Sequence, residues 1–221
     1  MIDWDTIDTV LLDLDGTLLD LHFDNYFWRQ HLPRRYAEIH QRDENDSRQQ
    51  LQQRMAAKRG SLDWYSVDYW SEQLQLDIPA LKLEIQHMIS LRPYVEEFLR
   101  RLHHSRQQVL LVTNAHRKSL DIKLARTGIQ RWFDAIVVSH DLRVPKEDPQ
   151  FWHYLHARHP YRAERTLLID DTESVLQAAS RYGIAHLMTV LQPDSRLQKR
   201  LDTRFPGIHH FDEIMPAKQR R

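Results

Sequence analysis

Asp13 and Asp15 stand one residue apart at the end of the apolar run Val10, Leu11 and Leu12, with Gly16 and Thr17 directly behind them. A half-exposed strand alternates polar and apolar side chains. An uninterrupted apolar run that turns acidic at its tip instead reads as a buried strand delivering charge to one edge of a sheet. Two more runs end in polar groups: "QVLLVTN" (108–114) closes on Thr113 and Asn114, and "TLLIDD" (166–171) closes on Asp170 and Asp171. The run "AIVVSHD" (135–141) is followed by Lys146 in the loop "VPKEDP".

Ligands of open parallel sheets bind in the crevice beyond the carboxyl ends of the strands, so these groups are expected to converge. Four carboxylates in one crevice raise each other's pKa, and a divalent cation relieves the conflict. All-oxygen ligation suits Mg2+, which takes one or two protein carboxylates and substrate phosphate. Lys146 supplies a second positive charge. A metal, a carboxylate nucleophile and a lysine make a phosphoryl-transfer site. One carboxylate of the Asp13/Asp15 pair attacks phosphorus, and its neighbour two residues on protonates the leaving oxygen and later activates water. Gly16 permits the tight turn, and Thr17 offers a hydroxyl and a backbone donor near the phosphoryl oxygens.

The elements that must hold these groups follow from the pattern between them. Segments with helical spacing, "PYVEEFLRRLHH", "KSLDIKLARTGI" with Gly128 as its stop, and "ESVLQAASRYG", separate the strand runs. A weaker run, "HLMTV" (186–190), extends the sheet. Strands alternating with helices give an α/β fold, a Rossmann-like doubly wound parallel sheet. Residues 18–92 break the rhythm: they hold no convincing strand and carry nine of the chain's 21 aromatics, eight of them clustered in "FDNYFW" and "WYSVDYW". They read as an all-helical cap inserted after the first strand, leaving residues 1–17 and 93–221 as the catalytic core. Within the cap, "QRDENDSRQQ" reads as a solvated helix face or loop, and the tail "AKQRR" is expected to fray.

Composition removes other classes. The 221 residues carry 31 Lys and Arg against 31 Asp and Glu, so no basic excess marks a nucleic-acid polymer as partner. Cysteine is absent, which excludes disulfides, thiolate nucleophiles and Cys-ligated zinc, and fits a cytoplasmic setting. No apolar run approaches a signal peptide or a membrane span. The five glycines build neither a Walker loop nor a dinucleotide turn. No heptad seam or self-complementary patch assigns an oligomeric state.

The ordered set "DLDGT", "LLVTN", "PKEDP" and "LLIDDT" resembles the four motifs of the haloacid dehalogenase (HAD) superfamily, over a core from Thr9 to Gly183. The resemblance implies that Asp13 is the nucleophile and Asp15 the general acid/base. It also implies that Thr113 and Lys146 bind phosphate and balance charge, and that Asp171 ligates Mg2+ with Asp170 as a second, water-mediated ligand. Asp13 and the backbone carbonyl of Asp15 complete the metal's protein ligands. The insertion is similar to a C1 cap, which closes over substrate and excludes water. Dehalogenases of the superfamily generally lack the second aspartate, so Asp15 favours a phosphatase or phosphomutase.

"LDLHFDNYFW", "LDWYSVDYWSEQL" and "TNAH" resemble the bacterial GMP/IMP nucleotidase branch, which releases phosphate from purine 5'-nucleotides. An aromatic-rich cap also offers flat faces on which a purine stacks. Asn25, Phe27 and Trp28, nearest the junction of cap and core, are the first expected substrate contacts, with His116 a further candidate. Trp64, Tyr65, Tyr69 and Trp70 serve either as packing or as a base platform. The expected partner is thus a small phosphomonoester, a purine 5'-monophosphate. The alternatives are a sugar phosphate or phosphoglycolate phosphatase, a phosphomutase, or a binding module without turnover.

Overall fold

The computed structural model describes residues 2–217; Met1 and residues 218–221, most of the tail expected to fray, lie outside them. Five parallel strands, β1 (Thr9–Leu12), β2 (Gln108–Thr113), β3 (Ala135–Val138), β4 (Thr166–Ile169) and β5 (His186–Val190), and a two-residue β6 (Gly207–Ile208), form one sheet in the order β3-β2-β1-β4-β5-β6. The third strand is shorter than the run expected over 135–141: after Val138 the chain turns into a short helix, Ser139–Leu142.

The continuous apolar character of β1 has a simple cause. Val10 and Leu12 pack into one buried cluster with Val109, Leu111, Leu167 and Ile169, while Leu11 points to the opposite face with Leu110, Val112 and Leu168. With both faces covered, every residue of the strand is an interior residue, each apolar side chain contributing roughly 1.5–3 kcal/mol by burial. The helices Arg117–Thr127 and Glu173–Tyr182 end at Gly128 (φ +67°) and Gly183 (φ +110°), left-handed positions that glycine occupies without a Cβ penalty.

Between β1 and β2 the chain is helical. His22–Tyr26 runs through a π turn, Phe27–His31, into Leu32–His40, and Glu44–Ala56, Leu62–Tyr65, Val67–Leu74 and Ile78–Glu84 follow. Among the described residues of this stretch the only extended pairings are two single bridges, Asp15 to Leu19 and Leu19 to Leu91, the second where the outgoing and returning chains meet. The polar stretch expected on the surface is the helix Glu44–Ala56, capped by Asp43 and burying only Ser47, Leu51 and Met55. Leu32, Tyr36, Leu51, Trp70 and Leu81 join the same apolar cluster as one face of the sheet, so the insertion packs on the core continuously.

Candidate active site

The strand order reverses between β1 and β4, and the polar ends of the strands meet there. Leu12 pairs with Ile169, and the Asp13 N–H donates to the Ile169 carbonyl at 3.0 Å. Asp13 and Asp170, each one residue past its strand, are therefore neighbours by register. Lys146 reaches between them from the loop after the short helix Ser139–Leu142: its Nζ stands 2.6 Å from Asp13 Oδ1, 2.6 Å from Asp170 Oδ2 and 3.0 Å from the Val112 carbonyl. The Lys146 backbone is itself fixed, its N–H donating to Asn114 Oδ1 and its carbonyl accepting from Trp152 Nε1.

The turn at Gly16 completes the arrangement. Gly16 sits at φ +87°, and a Cβ there would lie 2.7 Å from the Asp171 carboxylate, so only a glycine lets this turn approach the Asp171 side chain. Asp171 is anchored from the other side: its N–H donates to Thr17 Oγ1 at 3.1 Å and its carbonyl accepts from Arg200 Nη1 at 2.6 Å. Thr17 is fully buried and outside the cleft lining, so its hydroxyl, expected beside the phosphoryl group, instead supports the Asp171 turn.

One carboxylate oxygen from each of Asp13, Asp170 and Asp171 lies within 4.8 Å of the others, and Asp13 Oδ2 is buried without a hydrogen-bond partner. Burial pushes Asp13 and Asp171 up to about 7 and Asp170 to about 6, with Lys146 opposing the shift at Asp13 and Asp170. An all-oxygen donor set, an orphaned carboxylate oxygen and more negative charge than Lys146 offsets fit a hard divalent cation. The Asp15 carboxylate is not one of these three; its Oδ2 accepts from Lys123 Nζ at 2.7 Å, and its Oδ1 is buried and unpartnered.

A cleft of about 1380 Å3 opens over these groups, walled by the helical insertion. Asn25, Trp28, Trp64, Tyr65 and Trp70 line it, with Thr113, Asn114 and His116 from the core. Phe27, expected at the substrate, is fully buried outside that lining. The ammonium of Lys82 lies 4.5 Å from its ring centroid, and the edge contact with Trp28 fixes the wall from behind. Tyr69 likewise packs on Trp70 from outside the cleft. Asn25 is tied to Asp194 by a 2.7 Å bond, and Asn114 Nδ2 donates to Glu147 Oε2 at 2.9 Å. Tyr65 in turn donates to Glu147 Oε1 at 2.5 Å, joining insertion to core across the cleft.

A haloacid dehalogenase-like hydrolase model matches residues 7–183, the stretch that carries the three polar strand ends, Lys146 and the whole insertion. The chain belongs to that family. It is also 39% identical over 216 residues, 98% of this chain and 97% of the relative, to the protein named GMP/IMP nucleotidase YrfG in Escherichia coli, and equally to its namesake in Shigella flexneri. Among solved structures, a HAD phosphatase from Thermococcus onnurineus aligns with a TM-score of 0.78 at 19% identity, covering 94% of this chain and 96% of that one. L-2-haloacid dehalogenase from Xanthobacter autotrophicus aligns at 0.59 and 16% identity, covering 87% and 79%. Both share the fold. Hydrolases of this family generally use Mg2+, in keeping with the buried acidic triad. Among the described residues no helix is long and apolar enough to cross a membrane.

Four residues of the site escaped the sequence reading: Lys123, Asp24, Lys82 and Glu147. Lys123 and Lys82 each occupied a buried stripe, with Ser119 and Leu120 in one helix and Ile78 and Leu81 in the other. A lysine at an apolar stripe position was the available signal, since lysine is almost never fully buried unless paired.

Proposed function

We propose that the protein is a Mg2+-dependent phosphomonoesterase that releases phosphate from purine 5'-monophosphates, GMP and IMP, through an aspartyl-phosphate on Asp13. The observation that carries this reading is the Lys146 ammonium held between Asp13 and Asp170, with an Asp13 oxygen left free beside Asp171. Lys146 holds the Asp13 carboxylate in one orientation and offsets charge as Asp13 attacks phosphorus. Asp13, Asp170, Asp171 and the Asp15 carbonyl are the groups that would hold Mg2+, which when bound neutralises phosphoryl charge. Asp15 gives a proton to the departing ester oxygen and takes one from the water that later releases phosphate. Thr113 and Asn114 close the phosphate end of the cleft.

The substrate assignment rests on the near full-length similarity to proteins named GMP/IMP nucleotidase and on the aromatic wall of Trp28, Trp64, Tyr65 and Trp70. Residues 18–92 act as the cap, its Tyr65–Glu147 bond holding the cleft shut during chemistry. A small nucleotide substrate and a cysteine-free chain fit a cytoplasmic enzyme.

Phosphate release from IMP, GMP, AMP, UMP and glucose 6-phosphate, measured with Mg2+ and with EDTA, tests the reading. Metal-dependent release with the highest kcat/KM for IMP and GMP is expected. Highest values for the sugar phosphate would return the aromatic wall to a packing role, and no release from any substrate would overturn the assignment.

A further inference from the structure

Two lysines are sealed in the junction between core and insertion, each only 1% exposed. Lys123, on the core helix Arg117–Thr127, donates to Asp15 Oδ2 at 2.7 Å and to Asp24 Oδ2 at 2.8 Å. Lys82, on the helix Ile78–Glu84, donates to Asp24 Oδ1 at 2.7 Å, and its ammonium lies 5.0, 4.5 and 5.3 Å from the ring centroids of Phe23, Phe27 and Trp28. Asp24 belongs to the first helix of the insertion, His22–Tyr26. The four side chains form one ladder, Asp15–Lys123–Asp24–Lys82, in which carboxyl and ammonium groups alternate. It joins the turn after β1, a core helix and two helices far apart in the insertion sequence.

Stability alone does not account for such a ladder. Removing two ammonium groups from water is costly, and well-packed apolar side chains of similar volume serve a fold as well or better. What an apolar cluster cannot do is hold a carboxylate by one oxygen. Asp15 is held in this way: Oδ2 is bound to Lys123, and Oδ1 has no protein partner.

We propose that Lys123 and Asp24 are positioning residues that aim the Asp15 carboxyl at the leaving oxygen, and that Lys82 locks this aim to the closed insertion. The inference rests on the phosphatase reading above. In the step concerned, an Asp13 oxygen bonds to phosphorus, the ester P–O bond breaks with its electron pair on the departing oxygen, and that oxygen takes the proton of Asp15. In this step Lys123 exchanges no proton; it fixes Asp15 in place, and Asp24 fixes Lys123. Movement of the insertion carries Asp24 with it, so the acid is aligned only when the cleft is shut.

A misaimed acid has a signature that general loosening lacks. The alkoxide leaving from a nucleotide needs a proton, whereas p-nitrophenolate leaves without one. We therefore compare kcat/KM, which reports the steps up to leaving-group departure, for IMP and p-nitrophenyl phosphate in wild type, Lys123→Met, Asp24→Asn, Lys82→Met and the Lys123→Met/Asp24→Asn double variant, with Asp15→Asn as benchmark. The expected result is a fall of about 10²-fold for IMP in Lys123→Met and Asp24→Asn, against a fall of less than about tenfold for p-nitrophenyl phosphate. The double variant should show a selectivity no worse than either single one, because both act through the same carboxyl. Should Lys123→Met fail to fold, the near-isosteric Asp24→Asn carries the same comparison. Equal losses on both substrates, or no loss in either, overturn the positioning role. A wild-type enzyme inactive on both substrates instead overturns the phosphatase reading beneath it.

Discussion

Lys146 stands 2.6 Å from Asp13 in a pocket where both are buried, and the same ammonium holds Asp170 at an equal distance. Both carboxylates depend on that one cation. Replacing Lys146 by Met removes the charge while keeping the length of the side chain. Breaking a buried pair in this way costs about 3–5 kcal/mol, because uncompensated charge stays behind. For a chain of this size the metal-free Tm should fall on the order of 10 °C, and phosphate release should be lost. Differential scanning calorimetry of Lys146→Met beside wild type checks the first, and a Tm unchanged within error would contradict the burial argument.

Gly16→Ala isolates the close approach of the first motif to Asp171. The added methyl meets a carboxylate at 2.7 Å and demands φ +87° of a residue that disfavours it. Asp171 must move, so Mg2+ affinity should weaken by about tenfold or more. Titration of Mg2+ against intrinsic tryptophan fluorescence or heat reads this directly, and wild-type affinity in Gly16→Ala would remove Asp171 from the ligand set.

The acidic trio sets how Mg2+ stabilisation changes with pH. Burial is the largest cause holding Asp13 and Asp171 up at about 7 and Asp170 at about 6, against 3.8 for the unperturbed carboxyl. The folded, metal-free protein therefore keeps protons that the unfolded chain has already lost. Their stabilising contribution is full below about pH 4 and disappears as pH rises through the folded values near 7. A divalent cation binds the deprotonated trio and competes with those protons. The rise in Tm caused by saturating Mg2+ should accordingly be small near pH 5 and several degrees larger near pH 8. An equal rise at both, or a larger one in acid, would contradict the assignment of the trio as the metal site.

Trp28 and Trp64 line the cleft from the insertion, and stacking of a base on an aromatic face is worth about 1–3 kcal/mol. Replacing either by Ala should raise KM for IMP by roughly tenfold while changing KM for p-nitrophenyl phosphate about twofold or less. Equal effects on both substrates would make these rings packing residues.

The sheet and its chemistry were legible in the sequence because both depend on short local patterns. The apolar runs of β1, β2 and β4 are continuous because both faces are covered, and each ends in the residues that meet at the switch point. β6 was not legible: two residues carry no period, and it forms by pairing Gly207 and Ile208 with Thr189 and Val190. The extent of β3 was overread because no glycine or proline separates its apolar residues from Ser139, His140 and Asp141, where the backbone has already turned into a helix. Inside the site, local motifs named the groups but not their partners. Thr17 looked like a phosphate donor by position and proved to be the acceptor for the Asp171 N–H. Phe27 looked like a substrate contact by proximity and proved to pack behind the cleft-lining Trp28. The Asp15–Lys123–Asp24–Lys82 ladder depends on four segments brought together only by folding, and a single sequence carries no record of such pairings beyond a lysine in an apolar stripe.

The central claim is that Asp13 carries the phosphoryl group, and acid-quench mass spectrometry tests it most directly. Enzyme mixed with IMP and Mg2+ and quenched in the first turnover should show a peptide containing Asp13 heavier by one phosphoryl group. That species should be absent from Asp13→Asn, which should also lose at least about 10³-fold in phosphate release. Full turnover by Asp13→Asn, or a phosphoryl group trapped on a different residue, would contradict the account.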